Sequence, residues 1–194
     1  EVRDAEATAE VDVADRLLAG RSELDDEIGG ASLCFAEDVD IEVLRSGEDV
    51  EADEVDVRAD GPIRIITLNR PDELNAVNDP LHVGLAKIWE ALNEDATARA
   101  AVITGAGRAF SAGGDFNYLN ELRSDEALRQ KTIKHGRDLV IGMIRCRMPV
   151  IAAVNGPAVG LGCSLAALSD VVYMAETAFF ADPHVQIGLV AADG

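Results

Sequence analysis

The sequence predicts an α/β fold from residue 55 onward, and three observations carry that reading. Short apolar strands alternate with segments of helical spacing over residues 55–194. Buried-looking strands run into glycine-rich loops, twice. The charge also divides the chain. Residues 1–60 hold 21 Asp and Glu against 5 Arg and no Lys, whereas residues 61–194 hold 15 acids against 12 bases. We therefore read residues 1–54 as an acidic leader and 55–194 as the folded domain. The leader is expected to be poorly ordered, because its sparse apolar positions do not offset the entropy of ordering. Its strongest local signals are a helical pattern from Ala5 to Ala19 and a strand-like stretch from Leu33 to Leu44.

The elements of the domain follow in order. Val55, Val57 and Ala59 alternate with charged residues, Asp60-Gly61 signals a hairpin turn, and Ile63 to Leu68 is the returning strand. Asn78 is placed to cap a helix with Pro80 in its first turn. Leu81, Leu85, Ile88, Trp89 and Leu92 follow at helical spacing. Ala100 to Thr104 is a strand and Gly105 to Asp115 a glycine-rich loop. A polar amphipathic helix is expected from about Glu126 to Arg145. Pro149 precedes a buried strand, Val150 to Val154. A second loop, Asn155 to Gly160, leads to a helix over Leu161 to Leu168 and a strand over Val171 to Met174. Strands alternating with helices define the α/β class.

Composition narrows the function. A net charge of −19 is the wrong sign for a nucleic-acid binder and disfavours an anionic membrane surface. Cys34, Cys146 and Cys163 are dispersed and lack CxxC spacing. That pattern excludes a disulfide framework and a zinc knuckle and suits a reducing compartment, so a cytoplasmic location is expected. No basic segment followed by an apolar run opens the chain. The weakly charged run from Val150 to Ala175 is interrupted by Asn155-Gly156-Pro157, Gly160, Gly162 and Asp170, which argues against a membrane span. No His, Cys, Asp or Glu cluster has metal spacing. His82 and His135 sit in helical patterns and are expected on exposed helix faces. The chain starts at Glu1 and stops at a turn-like Ala192-Asp193-Gly194, so both ends look cut.

The chemistry is expected at the two loops. Glycine there lets backbone approach a ligand or take positive φ. Free N–H groups where the second loop enters its helix suit developing negative charge. Neither loop is a dinucleotide fingerprint, because Phe110 and Leu165 stand where GxGxxG needs its third glycine, and no P-loop pattern is present.

Taken together, Leu68-Asn69-Arg70-Pro71, Leu74-Asn75-Ala76-Val77, Gly107-Arg108-Ala109-Phe110-Ser111-Ala112-Gly113-Gly114-Asp115 and the run from Pro149 to Cys163 resemble the crotonase superfamily, the enoyl-CoA hydratase/isomerase family. The resemblance covers about Val55 to Gly194. It implies a spiral of strand-strand-helix units that continues past residue 194, where the later part closes the pocket and builds trimers or hexamers. It implies acyl-CoA thioester substrates, with coenzyme A as part of the substrate and no separate cofactor. It further implies an enolate-like anion held by the main-chain N–H groups of Gly114 and Leu161. Glycine is commoner in the family at the second position, but a main-chain donor tolerates Leu161. Ala112, Gly113, Gly114 and Asp115 would line the thioester and pantetheine, and the segment at Ala76 the adenine side. Asp115 could equally bond its own backbone.

The resemblance weakens at the two glutamates that hold water in a hydratase of this family. Ser164 stands at the first position, and His184, after Asp182-Pro183, at the second. A serine hydroxyl needs a partner to act as a base. His184 has the right intrinsic pKa for general base work, or is a polar turn residue. Asp182 and Asp193 are the carboxylates that could replace a missing acid. Gly162-Cys163-Ser164-Leu165-Ala166 also approximates a nucleophile elbow, which with His184 would suggest a serine hydrolase. The expected function is enoyl-CoA hydratase/isomerase chemistry; the alternative is a non-catalytic acyl-CoA-binding or assembly subunit.

Overall fold

The computed structural model describes residues 54–190. The helix and strand expected within residues 1–53, and Asp193, lie outside the described residues.

The hairpin forms as expected. β1 (Val55–Asp60) runs antiparallel to β2 (Ile63–Leu68), with Asp60 opposite Ile63, so Gly61-Pro62 is the two-residue connection. Asn78 caps α1 (Asp79–Glu94) by accepting the Leu81 N–H at 3.1 Å. The helix is the crossover that allows β3 (Ala100–Gly105) to lie parallel to β2. Leu81, Leu85, Ile88, Trp89 and Leu92 are all buried, forming the core with Ile66, Leu68 and Ile103.

Two further helices lie between β3 and β4 (Val150–Val154): α2 (Phe116–Ser124) and α3 (Glu126–Ile144). The sequence reading found α3 but left α2 unassigned. Its start is fixed by Asp115, whose Oδ1 accepts the N–H groups of Asn117 (2.9 Å) and Tyr118 (3.2 Å). Asp125 ends α2 and caps α3 through the Leu128 N–H at 2.9 Å. β4 pairs in parallel with β3, and β6 (Val171–Met174) with β4, giving the sheet order β1-β2-β3-β4-β6.

His82 corrects the expectation of an exposed histidine: it is buried. α3 packs against α1 and covers the face that carries His82. The His82 ring lies 6.0 Å from that of His135, centroid to centroid, and beside Gly136. Burial holds the His135 pKa below its ordinary value, and the positive charge of Lys131 acts in the same direction.

A second, smaller layer stacks alongside the main sheet. β5 (Ala158–Val159) pairs in parallel with β7 (Phe180–Ala181), and isolated parallel bridges join Val77 to Gly114 and Ser111 to Ala158. Each turn of chain therefore contributes one strand to the main sheet and one short extended piece to the small layer. This is the strand-strand-helix spiral that the motifs implied. Helix α4 (Leu161–Ala167) follows β5 directly.

Candidate functional site

The two glycine-rich loops lie against each other in the small layer. The N–H groups of Phe110 and Ser111 both donate to the Pro157 carbonyl, at 3.0 and 3.1 Å, and the Val159 N–H returns to the Ser111 carbonyl at 2.9 Å. Closer to the loop ends, two glycines meet. Gly113 has φ +89° and Gly160 φ +51°, backbone states that side chains rarely adopt. A Cβ on Gly113 would stand 3.0 Å from the Val159 carbonyl oxygen and 3.8 Å from Gly160 Cα. Glycine is thus required twice over, by conformation and by space.

Each glycine is followed closely by an amide with no internal acceptor. The Gly113 carbonyl accepts the Val77 N–H at 2.6 Å, and the Asp115 N–H donates to the Val77 carbonyl at 3.0 Å. Both bonds face Val77, so the Gly114 N–H between them faces the other way. Among the described residues the N–H groups of Gly114 and Leu161 donate to nothing.

The surrounding frame is built from side-chain amides. Asn75, buried with φ +56°, donates from Nδ2 to the carbonyls of Ala106 and Ala109, both at 2.9 Å, while its Oδ1 accepts the Arg70 N–H at 2.9 Å. Asn155 donates from Nδ2 to the carbonyls of Gly105 (2.9 Å) and Gly107 (3.0 Å). Both asparagines hold the first loop in shape. The sequence reading gave neither a role. Their signal was weak: asparagine tolerates left-handed backbone better than most residues and is also common in ordinary turns.

The remaining expected site residues divide as follows. Arg70 donates from Nη1 to the Ala76 carbonyl and to Asp115 Oδ2 (3.2 Å), tying the Ala76 segment to the rim of Ala112, Gly113, Gly114 and Asp115. Asp115 spends one oxygen on capping α2 and the other on Arg70. A polar groove of about 290 Å³, lined by Arg70, Asn78, Asp79, Asp115, Tyr118 and Glu121 among others, opens beside that rim.

His184 lies at the meeting point of the loops. A Cβ on Gly160 would stand 3.5 Å from its Cε1 and 3.8 Å from Nε2. Its Nδ1 contacts Asp182 Oδ1, which also accepts the His184 main-chain N–H at 3.2 Å. The hydrogen bond from the His184 ring lowers the Asp182 pKa from its ordinary value. The imidazole is largely covered and the carboxylate half exposed.

Ser164 is buried as the fourth residue of α4, its N–H donating to the Gly160 carbonyl at 3.2 Å. A nucleophile elbow holds its serine exposed on a sharp strand-to-helix turn. Ser164 does not fit that geometry, and the hydrolase reading is dropped. Among the described residues no three His, Cys, Asp or Glu side chains converge as a metal site, and neither Cys146 nor Cys163 is in a disulfide.

Touching glycine loops that present main-chain donors, in a spiral of parallel strands, define the class. The chain belongs to the enoyl-CoA hydratase/isomerase family, whose model matches residues 58–194. It is 39% identical over 132 residues to the mitochondrial enoyl-CoA hydratase of Pongo abelii, covering 68% of this chain and 44% of that protein. It is 38% identical over 130 residues to the 1,2-epoxyphenylacetyl-CoA isomerase of Escherichia coli K12, covering 66% and 50% respectively. Among solved structures, an enoyl-CoA hydratase/isomerase from Mycobacterium paratuberculosis matches with a TM-score of 0.72 and 75% identity, over 73% of this chain and 57% of that one. The chain spans about half the length of the curated relatives it matches. No helix among the described residues is long and apolar enough to cross a membrane.

Proposed function

We propose that the chain binds acyl-CoA thioesters and stabilises an enolate-like anion on the thioester oxygen through the N–H groups of Gly114 and Leu161. The observation that supports this reading is the pair of amides without acceptors among the described residues, on loops in van der Waals contact. Preorganised donors of this kind are each worth about 2.7–4 kcal/mol in a transition state. Ala76, Ala112, Gly113 and Asp115 contribute the binding rim. Coenzyme A arrives as part of the substrate, and no further cofactor is invoked. Trimeric or hexameric assembly and a cytoplasmic setting belong to the same proposal, the first by family and the second by cysteine usage.

His184 is the group proposed to move protons. A carboxylate at Nδ1 orients the ring and favours the proton on that nitrogen, which makes Nε2 the basic one. Hydration needs one group to deprotonate water and another to protonate the α carbon. With Ser164 and His184 at the two glutamate positions, hydration of crotonyl-CoA is expected to be slow, because each acid–base group typically contributes about 10²–10⁴-fold. His184→Ala should abolish what turnover remains, and Ser164→Ala should cost little. Turnover equal to that of a two-glutamate relative, unchanged by His184→Ala, would put the chemistry on other residues. The loss of both glutamates also favours a second reading, an acyl-CoA-binding subunit without turnover. Saturable binding of crotonyl-CoA with no conversion identifies that case.

A further inference from the structure

We infer that Ser111 is a positioning residue that sets the placement of the two oxyanion donors relative to each other. The inference rests on the proposed role of Gly114 and Leu161. Ser111 is fully buried and bonds in two directions. Its hydroxyl donates to the Asn75 carbonyl at 2.9 Å and accepts the Gly113 N–H at 3.2 Å, the peptide next to the Gly114 donor. Its main chain binds the other loop: the N–H donates to the Pro157 carbonyl, and the carbonyl accepts the Val159 N–H, two residues before Leu161. The second residue of α4 rests on it as well, since a Cβ on Gly162 would stand 3.1 Å from Ser111 Cβ and 3.0 Å from its carbonyl oxygen. One residue therefore ties the Ala112-Gly113 peptide, next to the one that carries the Gly114 N–H, to the segment that delivers Leu161.

The hydroxyl has a specific task in this arrangement. Gly113 takes positive φ, and its carbonyl is held by Val77. The Ser111 oxygen holds the other end of the residue, its N–H. Without that acceptor the Ala112-Gly113 peptide is loosened, and the Gly114 N–H is positioned from the Val77 side alone. Val159, two residues before Leu161, keeps its main-chain bond to Ser111 in either case. Removing the hydroxyl should therefore spoil the pairing of the two donors and leave the rim that binds the rest of coenzyme A in place.

The test uses the full chain with butyryl-CoA labelled with ¹³C at the thioester carbonyl, a saturated ligand that cannot be hydrated. In the unmodified protein the bound carbonyl stretch should fall below that of the free ligand, because two N–H groups polarise it. Ser111→Ala should lose about half or more of that lowering. Its affinity for free coenzyme A should change by less than about threefold. Ser111→Cys, which fills the same space with a weaker donor and acceptor, should fall between the two and serves also if the alanine variant does not fold. A wild-type carbonyl shift in a folded Ser111 variant overturns the inference and leaves the oxyanion reading intact. A bound ligand with no lowering in the unmodified protein overturns the oxyanion reading itself, and the inference with it.

Discussion

β4 and β6 are neighbouring parallel strands with similar apolar sequences and opposite surroundings. Along β4, Val150, Ala152 and Val154 are at most 2% exposed. Along β6, Val171, Val172, Tyr173 and Met174 are 44%, 41%, 70% and 40% exposed. Among the described residues β4 has a strand on each side, whereas β6 pairs with β4 alone. An apolar run therefore gives a strand in both places, while burial comes from what packs on it.

The contrast can be broken by mutation. Leu85, fully buried on α1, should lose about 2–5 kcal/mol of stability as Leu85→Ala, measured by urea denaturation. Acid should act more mildly, at the partly exposed Asp95. Hydrogen bonds from the Thr97 hydroxyl and main chain, with the Arg64 guanidinium 2.7 Å away, lower the Asp95 pKa to about 2. A carboxylate with a depressed pKa stabilises the fold above its ordinary value near 3.8 and loses that contribution as pH falls toward 2. The melting temperature of Asp95→Asn should thus lie below that of the parent at neutral pH, with the gap closing between those values. Val172→Ala on β6 should have the smallest effect, within about 0.5 kcal/mol, as for exposed positions generally. A loss at Val172 as large as that at Leu85 would mean that β6 is covered in solution.

Much of the fold was legible because its signals are local. Asn78 with Pro80 marks a helix start, the apolar positions of α1 repeat at helical spacing, and the hairpin alternates. Helix α2 was missed because it is only nine residues long and its start depends on the cap at Asp115, a residue read as the end of the glycine-rich loop. His82 was misplaced because burial on the outer face of α1 depends on α3, a partner some fifty residues away that helical spacing cannot supply. The same distinction applies at the site. The two glycine loops stood out by composition, and Gly114 and Leu161 were picked out within them by the family resemblance, whereas the hydrogen bonds of Asn75, Ser111 and Asn155 join segments distant in sequence and carry no pattern. The Asp182–His184 pair was half visible: both residues were singled out, but the contact between them needed the turn.

The central claim is that the Gly114 and Leu161 amides bind a thioester oxygen. It is tested most directly by NMR on protein labelled with ¹⁵N at glycine and leucine, titrated with butyryl-CoA and, separately, with free coenzyme A. Formation of a hydrogen bond to a carbonyl moves an amide proton downfield. The account predicts downfield shifts of both amides with the thioester and much smaller changes with coenzyme A, while the rim at Gly113 responds to both. Saturating thioester that leaves Gly114 and Leu161 unmoved, or that shifts them no more than coenzyme A does, would contradict it.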